Sequence, residues 1–212
     1  MTNTYLITID NLSKAYGSTL AVQHFNLSVR AGEVVALLGR PRSGKSTILK
    51  VVGADLRPDE GFVYVCSFDT VLKAGMVRPR VGLVMHERIL EPAMSGRENL
   101  EEQAMLRFFT AEESAQRIGE LLPLSGLGAR ADDPLSAFAA DEWARIEMVA
   151  SLLHRPQVWI LDEPARGCDA AGRERVWSAF RNLRPQVSSV LLAAQDEAEA
   201  RALADRVVTV GT

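Results

Sequence analysis

Residues Gly39–Thr47 have the types and the spacing of a phosphate-binding loop. They read Gly-Arg-Pro-Arg-Ser-Gly-Lys-Ser-Thr, after an apolar run at 34–38 and before a helical pattern at 48–52. A strand, a glycine-containing loop and a helix in this order form the context that such a loop requires. The stretch therefore predicts binding of a nucleoside triphosphate, and we assign the whole loop to it: Gly39, Arg40, Pro41, Arg42, Ser43, Gly44, Lys45, Ser46 and Thr47.

Each residue type in this loop has a physical role toward a phosphate. Gly39 and Gly44 let the backbone turn and approach an anion, so that successive N–H groups point at its oxygens. The helix that follows adds its positive N-terminal end. Lys45 can reach the β and γ phosphates as a point charge, and the Ser46 hydroxyl is placed to ligate Mg²⁺.

Two carboxylates, Asp162 and Glu163, end a second apolar stretch that begins at Val158. An apolar strand of this kind is typical of a parallel sheet buried on both faces, where ligands bind at the carboxyl ends of the strands. Asp162 can hold Mg²⁺ through its water shell, and Glu163 can orient or deprotonate an attacking water. The alternative is that the pair only caps the next turn.

Length and composition limit the class of protein. The 212 residues, of which 47% are hydrophobic, predict a single large α/β domain over 1–212. The formal net charge of −3 provides no positive field for nucleic acid, which we exclude as a partner. Two distant cysteines, Cys66 and Cys168, argue against a disulfide framework or a zinc site and fit a reducing cytosol. No apolar run approaches the ~20 residues of a membrane helix, so a membrane span would come from a partner.

Hydrophobic periodicity predicts the elements around these motifs. A change to helical pattern from 92 to about 130 indicates a small helical lobe, which Ser95 and Glu98 open as a capping box. Tyr16 lies at a turn, where its ring either stacks on a base or packs. We expect strands at 5–9, 25–29, 62–65, 81–85, 158–163, 189–194 and 207–210, and further helices at 139–153, 174–183 and 197–204.

These motifs together resemble the nucleotide-binding subunits of ABC (ATP-binding cassette) transporters over essentially the whole chain. Tyr16 matches the aromatic A-loop position, Gly39–Thr47 matches Walker A, and 161–164 matches Walker B with Glu163 as the catalytic glutamate. Residues 165–169 fit the D-loop, and 203–208 resemble the segment that follows the H-loop.

The resemblance implies a P-loop NTPase (RecA-like) core with an antiparallel β lobe and an inserted helical subdomain at about 90–150. It also implies ATP and Mg²⁺ as cofactors, bound between two ATP-binding subunits, and a transmembrane transporter subunit as partner. The chain would then be cytoplasmic and peripheral at the inner face of the cell membrane.

Three functional positions of the family do not match. The Q-loop glutamine is replaced by His86, and the H-loop histidine by Gln195, whose amide can donate a hydrogen bond but cannot carry a proton. A gapless reading places the signature Leu-Ser-Gly-Gly-Gln at 138–142, and a rival reading places it at 135–139. In the gapless reading Asp141 and Glu142 bring negative charge toward an anion.

These departures set the functional expectation. Glu163, Gln195 and His86 are the candidate catalytic residues, with Ser46 and Asp162 as metal ligands. We expect an ATPase with weak or asymmetric activity that pairs with a second ATP-binding subunit as a heterodimer rather than a homodimer. The alternative is a nucleotide-dependent switch or regulatory subunit that hydrolyses little.

Overall fold

The computed structural model describes residues 5–211, which divide into two compact units. Among these residues the first unit contains 5–85, Pro156–Glu163 and 187–211, and the second contains His86–Arg155 and Pro164–Gln186. The strands are β1 Tyr5–Tyr16, β2 Thr19–Arg30, β3 Val34–Leu38, β4 Glu60–Val65, β5 Phe68–Asp69, β6 Val81–Val84, β7 Val158–Asp162, β8 Ser189–Ala194 and β9 Arg206–Thr209. The α-helices are α1 Lys45–Val52, α2 Ala74–Val77, α3 Gly96–Met105, α4 Ala111–Leu121, α5 Ala140–Leu152, α6 Ala170–Leu183 and α7 Glu197–Leu203.

One sheet of the first unit is antiparallel, with strand order β2-β1-β4-β5. Its inward side chains alternate with outward ones, so that Ile7, Ile9 and Val63 are buried while Asp10 and Phe62 are exposed. β1 and β2 are longer than expected, because register shifts let the pairing continue to Tyr16 instead of ending at Ile9.

The other sheet of the first unit is parallel, with strand order β6-β7-β8-β3-β9. β7 and β8 are buried along their whole length, as their continuous apolar sequences predict. β3 lies between β8 and β9, and its register with β8 runs from Val34 opposite Val190 to Leu38 opposite Ala194. The carboxyl ends of β3, β7 and β8 therefore lie at one edge of the sheet.

The second unit is helical, and its α3 begins with the expected capping box. The Ser95 Oγ accepts from the Glu98 N–H at 3.2 Å, and the Glu98 carboxylate accepts from the Ser95 N–H at 2.7 Å. In α5 one face is apolar and buried, including Trp143, Ile146 and Ala150.

The helix expected at 174–183 begins four residues earlier, at Ala170. Asp169 precedes it, and its carboxylate accepts from the Gly172 N–H at 2.6 Å. Asp169 therefore caps α6, a role that the D-loop prediction for residues 165–169 did not include. No helix within residues 5–211 has the length and apolar character to cross a membrane.

Candidate functional site

The loop between β3 and α1 has a backbone shape that its two glycines make possible. Gly44 adopts φ 98°, in the left-handed region that favours glycine. A Cβ at Gly39 would lie 2.5 Å from the Ser43 Oγ and 2.6 Å from the Val210 carbonyl. Both positions therefore need glycine, one for its conformation and the other for close packing.

The first turn of α1 is open to an anion. No side chain caps this helix, and its first turn contains no acidic residue. The Ser43 Oγ is buried in the loop and has no hydrogen-bond partner among the residues that the structure describes. These features fit a phosphate group, which would accept from the backbone N–H groups and from the hydroxyl.

Lys45 is buried, and its ammonium is held at the mouth of the loop. The Nζ donates to the Gly39 carbonyl at 2.6 Å and to the Arg40 carbonyl at 3.1 Å. It also lies 3.2 Å from the Glu163 Oε1. The charge is thus balanced by groups that a phosphate can replace.

Glu163 contacts both the Lys45 ammonium and the Gln195 side chain. It follows the last residue of β7 and has φ 48°, an uncommon conformation for a residue other than glycine. Its second oxygen, Oε2, accepts from the Gln195 Nε2 at 2.5 Å. Three residues that lie far apart in sequence, Lys45, Glu163 and Gln195, therefore form one hydrogen-bonded cluster.

The metal ligands expected from the sequence fit Mg²⁺ only together with a nucleotide. Asp162 ends β7 and is 2% exposed, and Ser46 lies in the first turn of α1. Within residues 5–211 no group of three or more His, Cys, Asp or Glu side chains is clustered as a metal site. Mg²⁺ usually keeps several waters and completes its coordination shell with substrate phosphates. The protein therefore needs to supply few ligands, and one hydroxyl and one carboxylate are enough.

The remaining predicted residues are more exposed. Tyr16 ends β1 and its side chain is half exposed, so it is not a core residue. Arg40 and Arg42 are exposed on the loop, and Arg42 has φ 67°. His86 belongs to the second unit, where its Nε2 lies 3.3 Å from the Arg166 Nη1. The sequence analysis did not select Arg166, since no spacing rule connects residues 80 positions apart.

The segment before α5 favours the gapless reading of the signature. Ala139 is the N-cap of α5, whereas 135–137 form a separate 3₁₀ turn. The gapless reading thus places the family's serine at a helix N-cap, a position that serine prefers. Ala139 has no side-chain oxygen, so only half of a capping box forms, through the Glu142 carboxylate, which accepts from the Ala139 N–H at 2.9 Å.

The structure corrects the expectation that Asp141 and Glu142 bring negative charge toward an anion. Asp141 is buried and accepts from Arg175 through both oxygens at 2.9 Å and from Arg145 at 2.9 Å. The hydrogen bonds from Arg175 lower the pKa of Asp141, although burial opposes them. Glu142 accepts from Arg130 at 2.6 and 2.7 Å. Three arginines thus neutralise the two carboxylates, and neither presents an unpaired charge.

Comparison with known proteins identifies the family. A family model described as ABC transporter matches residues 22–166, which include the loop, both carboxylates and α5. The chain belongs to the ABC transporter family.

Its expected fold class is confirmed, because solved ATP-binding cassettes have the same architecture. One is the dimeric post-hydrolysis state of the cassette MJ0796 bound to ADP and Pi, with TM-score 0.84, 22% identity and coverage of 97% of this chain and 94% of that one. Another is cbiO1 from Clostridium perfringens, with TM-score 0.87, 22% identity and coverage of 98% and 85%.

Several sequence relatives carry the names of export and resistance proteins. The daunorubicin resistance ATP-binding protein DrrA3 of Streptomyces coeruleorubidus is 36% identical over 96% of this ABC chain and 65% of its own length. The Nod factor export ATP-binding protein I of Sinorhizobium fredii is 31% identical over 96% of this chain and 60% of its own length. The chain therefore spans slightly less than two thirds of the length of these relatives.

Proposed function

We propose that this chain binds MgATP and hydrolyses it slowly, as the ATP-binding subunit of an ABC transporter whose membrane span lies in a separate subunit. The cluster of Lys45, Glu163 and Gln195 at the mouth of the phosphate-binding loop carries the proposal. In it, a carboxylate for water lies within hydrogen-bonding distance of both a cation for phosphate and an amide donor. Such a cluster is the arrangement that phosphoryl transfer to water requires.

The residues of the cluster would act in a defined order. On nucleotide binding, Lys45 exchanges the Gly39 and Arg40 carbonyls and the Glu163 carboxylate for phosphate oxygens. Glu163 is then released to accept a proton from an attacking water, while Gln195 donates a hydrogen bond to the γ phosphate or to Glu163. Ser46 and Asp162 are the residues that would hold Mg²⁺, which would supply charge neutralisation at the phosphates.

Slow and asymmetric activity follows from the departures described above. Gln195 cannot carry the proton or charge of a histidine, and the N-cap of α5 lacks a hydroxyl at Ala139. We therefore propose that the functional dimer pairs this chain with a second, different ATP-binding subunit that has an intact signature.

Several names among the matching relatives favour export as the direction of transport, although one relative is named for sulfate/thiosulfate import. DrrA3 is named for resistance to daunorubicin and the Sinorhizobium protein for Nod factor export. We propose an exported substrate of the membrane subunit, with this chain at the inner face of the cell membrane through that partner.

A nucleotide-dependent regulatory subunit is the second candidate function. Gln195 and Ala139, together with His86 at the Q-loop position, favour it, because each departure removes a group that serves hydrolysis rather than binding. Such a subunit would bind ATP and a partner with almost no turnover.

Calorimetric titration with MgATP and a phosphate-release assay test both candidates. We expect Lys45→Ala to weaken ATP binding at least tenfold, since the phosphates lose their buried cation. Glu163→Gln should preserve binding and remove most turnover, because an amide cannot accept the proton. Equal ATP affinity in the wild type and Lys45→Ala would refute the nucleotide site. Binding without turnover in the wild type would favour the regulatory subunit.

A further inference from the structure

The phosphate-binding loop contains a tight turn at its centre. The Ser43 N–H donates to the Arg40 carbonyl at 3.2 Å, which closes a β-turn of four residues. Pro41 has the second place in this turn, where its ring fixes a negative φ. Arg42 has the third place, with φ 67°. A negative φ followed by a positive one is the pattern of a type II turn.

Arginine is an unfavourable residue at the third place of such a turn. The position requires a positive φ, and glycine is the usual residue there because it has no Cβ to strain the backbone. Strained residues of this kind are concentrated at functional sites, where the strain accompanies a needed side chain. The loop therefore has an arginine, Arg42, at a position where a glycine would fold better.

The charge of Arg42 has no counterion in the part of the chain that the structure describes. The side chain is exposed, and its guanidinium makes neither an ion pair nor a hydrogen bond with another described residue. By contrast, the Lys45 ammonium of the same loop lies 3.2 Å from the Glu163 carboxylate. The nine residues 39–47 contain three basic residues and no acidic one. The loop thus offers an anion more positive charge than that of Lys45 alone.

The cluster of Lys45, Glu163 and Gln195 lacks a charge that Arg42 can provide. The Gln195 amide donates to Glu163 at 2.5 Å and is neutral. In hydrolysis the water oxygen bonds to the γ phosphorus, Glu163 accepts the water proton, and ADP leaves with the electron pair of the broken bond. Cations that are already in place stabilise the negative charge on the γ oxygens in the transition state. A guanidinium is always protonated, and its planar donors can contact two phosphate oxygens at once.

We propose that the Arg42 guanidinium binds the γ phosphate of MgATP and supplies, from within the same chain, the positive charge that Gln195 lacks. Arg42 belongs to the loop whose backbone N–H groups enclose the phosphates, so its side chain begins beside them. The γ phosphate is the partner because it is the most highly charged of the three. The proposal rests on the proposed function, since it requires MgATP in the loop.

Calorimetric titration of the full chain with MgATP and with MgADP tests the contact without turnover, in a Glu163→Gln background. Arg42→Ala removes the guanidinium but keeps the Cβ and with it the strain of the turn. We expect this variant to bind MgATP at least fivefold more weakly and MgADP with less than a twofold change, because MgADP has no γ phosphate. Arg57→Ala, at another exposed arginine of the first unit, is the matched control and should bind both nucleotides with unchanged affinity.

Phosphate release under saturating MgATP tests the contribution of Arg42 to the rate. Arg42→Ala should lower kcat at least tenfold. Arg42→Lys, which keeps the charge without the planar donors, should lower kcat less. In a Gln195→His background, where histidine can bring a charge of its own, Arg42→Ala should lower kcat less than threefold. A purely structural role of Arg42 would not give this rescue.

Arg42→Gly separates the charge from the backbone. Because glycine relieves the left-handed strain, this variant should unfold at a higher urea concentration than the wild type, yet bind MgATP as weakly as Arg42→Ala does.

Three outcomes would overturn the proposal. They are unchanged MgATP affinity in Arg42→Ala, an equal loss of affinity for MgATP and MgADP, and a lower unfolding midpoint in Arg42→Gly. If the wild type has no turnover, the two nucleotide titrations alone decide. MgATP binding that does not depend on Arg42 refutes this proposal only, whereas absence of MgATP binding in the wild type refutes the proposed function.

Discussion

At the scale of single residues, Glu163 is the residue on which the site depends, because it contacts both Lys45 and Gln195. A carboxylate held by an ammonium at 3.2 Å and an amide at 2.5 Å is oriented before any nucleotide arrives. The same contacts also restrain it, since a base that accepts two hydrogen bonds is less available to water. The side chain at position 195 should therefore influence the position of the Glu163 carboxylate.

Replacing Gln195 with histidine, together with His86→Gln, should raise ATP turnover by about tenfold, which corresponds to a barrier lowered by about 1.4 kcal/mol. Histidine at 195 can carry a positive charge toward the γ phosphate, and preorganised charge of this kind supplies much of the rate in phosphoryl transfer. Phosphate release under saturating MgATP measures the gain. The same pair of changes in a Glu163→Gln background is the control and should show none. An unchanged rate in the presence of an intact-signature partner would mean that Gln195 and His86 are adapted to their positions.

Glu147 on α5 provides a prediction about pH. Burial raises the pKa of Glu147 to about 7, against smaller lowering effects of the Trp143 indole N–H, at 3.0 Å, and of the Arg88 charge. Arg88 itself lies over the Trp143 ring, 4.3 Å from its centre. The folded chain therefore holds a proton on Glu147 at pH values where the unfolded chain has released it.

Stability should accordingly fall as the pH rises from about 4.5 to 7, the interval between the unfolded and folded pKa values. Glu147→Gln, which keeps the acceptor for Trp143 without the charge, should stabilise the protein by on the order of 2 kcal/mol at pH 8 and by little at pH 5. Urea unfolding of both proteins at the two pH values measures this. If Glu147→Gln changed the free energy of unfolding equally at pH 5 and pH 8, the result would contradict a raised pKa of Glu147.

At the scale of elements, three helices of the second unit begin with a similar N-terminal cap. In one of the three the capping box is incomplete. α3 and α4 begin with Ser95 and Thr110, each in a reciprocal capping box with a glutamate three residues later. α5 has the glutamate, Glu142, but Ala139 at the N-cap. Its backbone geometry at the cap is nevertheless that of the other two, with φ −68° in all three.

Ala139→Ser should therefore complete the box and stabilise the protein by about 1 kcal/mol. Chemical denaturation measures the gain, and Ser95→Ala, which removes the equivalent hydroxyl from α3, is the matched control with an expected loss of similar size. If Ala139→Ser left the free energy of unfolding unchanged or lowered it, the N-cap of α5 would not be open to a side-chain hydroxyl.

Most of the strands and helices could be predicted from the sequence. The features that could not be predicted have physical causes. A continuous apolar run located β8, because both faces of that strand are buried. Periodicity located α5, because the burial of one helix face repeats along the chain. Periodicity contains no information about which side chains contact each other when their residues are far apart in sequence. The pairing of Asp141 with Arg175, 34 residues away, is one such contact, and it reversed the expectation of a repulsive charge. The left-handed conformation of Arg42 could not be predicted either, since arginine carries no signal for it.

At the scale of the whole molecule, the chain should be a poor ATP-dependent homodimer. The N-terminus of α5 lacks a hydroxyl, and the Glu142 carboxylate already occupies the Ala139 N–H. A phosphate from a second copy would have to displace that carboxylate. In a Glu163→Gln background with MgATP, size-exclusion chromatography should show mostly monomer.

Ala139→Ser with Ala140→Gly, in the same Glu163→Gln background, should shift the protein toward dimer. These two changes restore a hydroxyl and close approach while leaving the Asp141–Arg175 pair intact, which replacement of Asp141 would break at a cost in stability. A Glu163→Gln protein that dimerises as well as the repaired one would refute this account of the interface.

The strand order of the parallel sheet also sets when the phosphate-binding loop can form during synthesis. β3 ends at Leu38, but both of its neighbours, β8 and β9, come from the last part of the chain, beginning about 150 residues later at Ser189. At ribosomal rates of roughly 5–20 residues per second, the nascent β3 waits on the order of 8–30 seconds without a pairing strand. During that interval an apolar edge is open to other chains or to chaperones. The loop between β3 and α1 is thus among the first parts of the molecule to be made and among the last to fold.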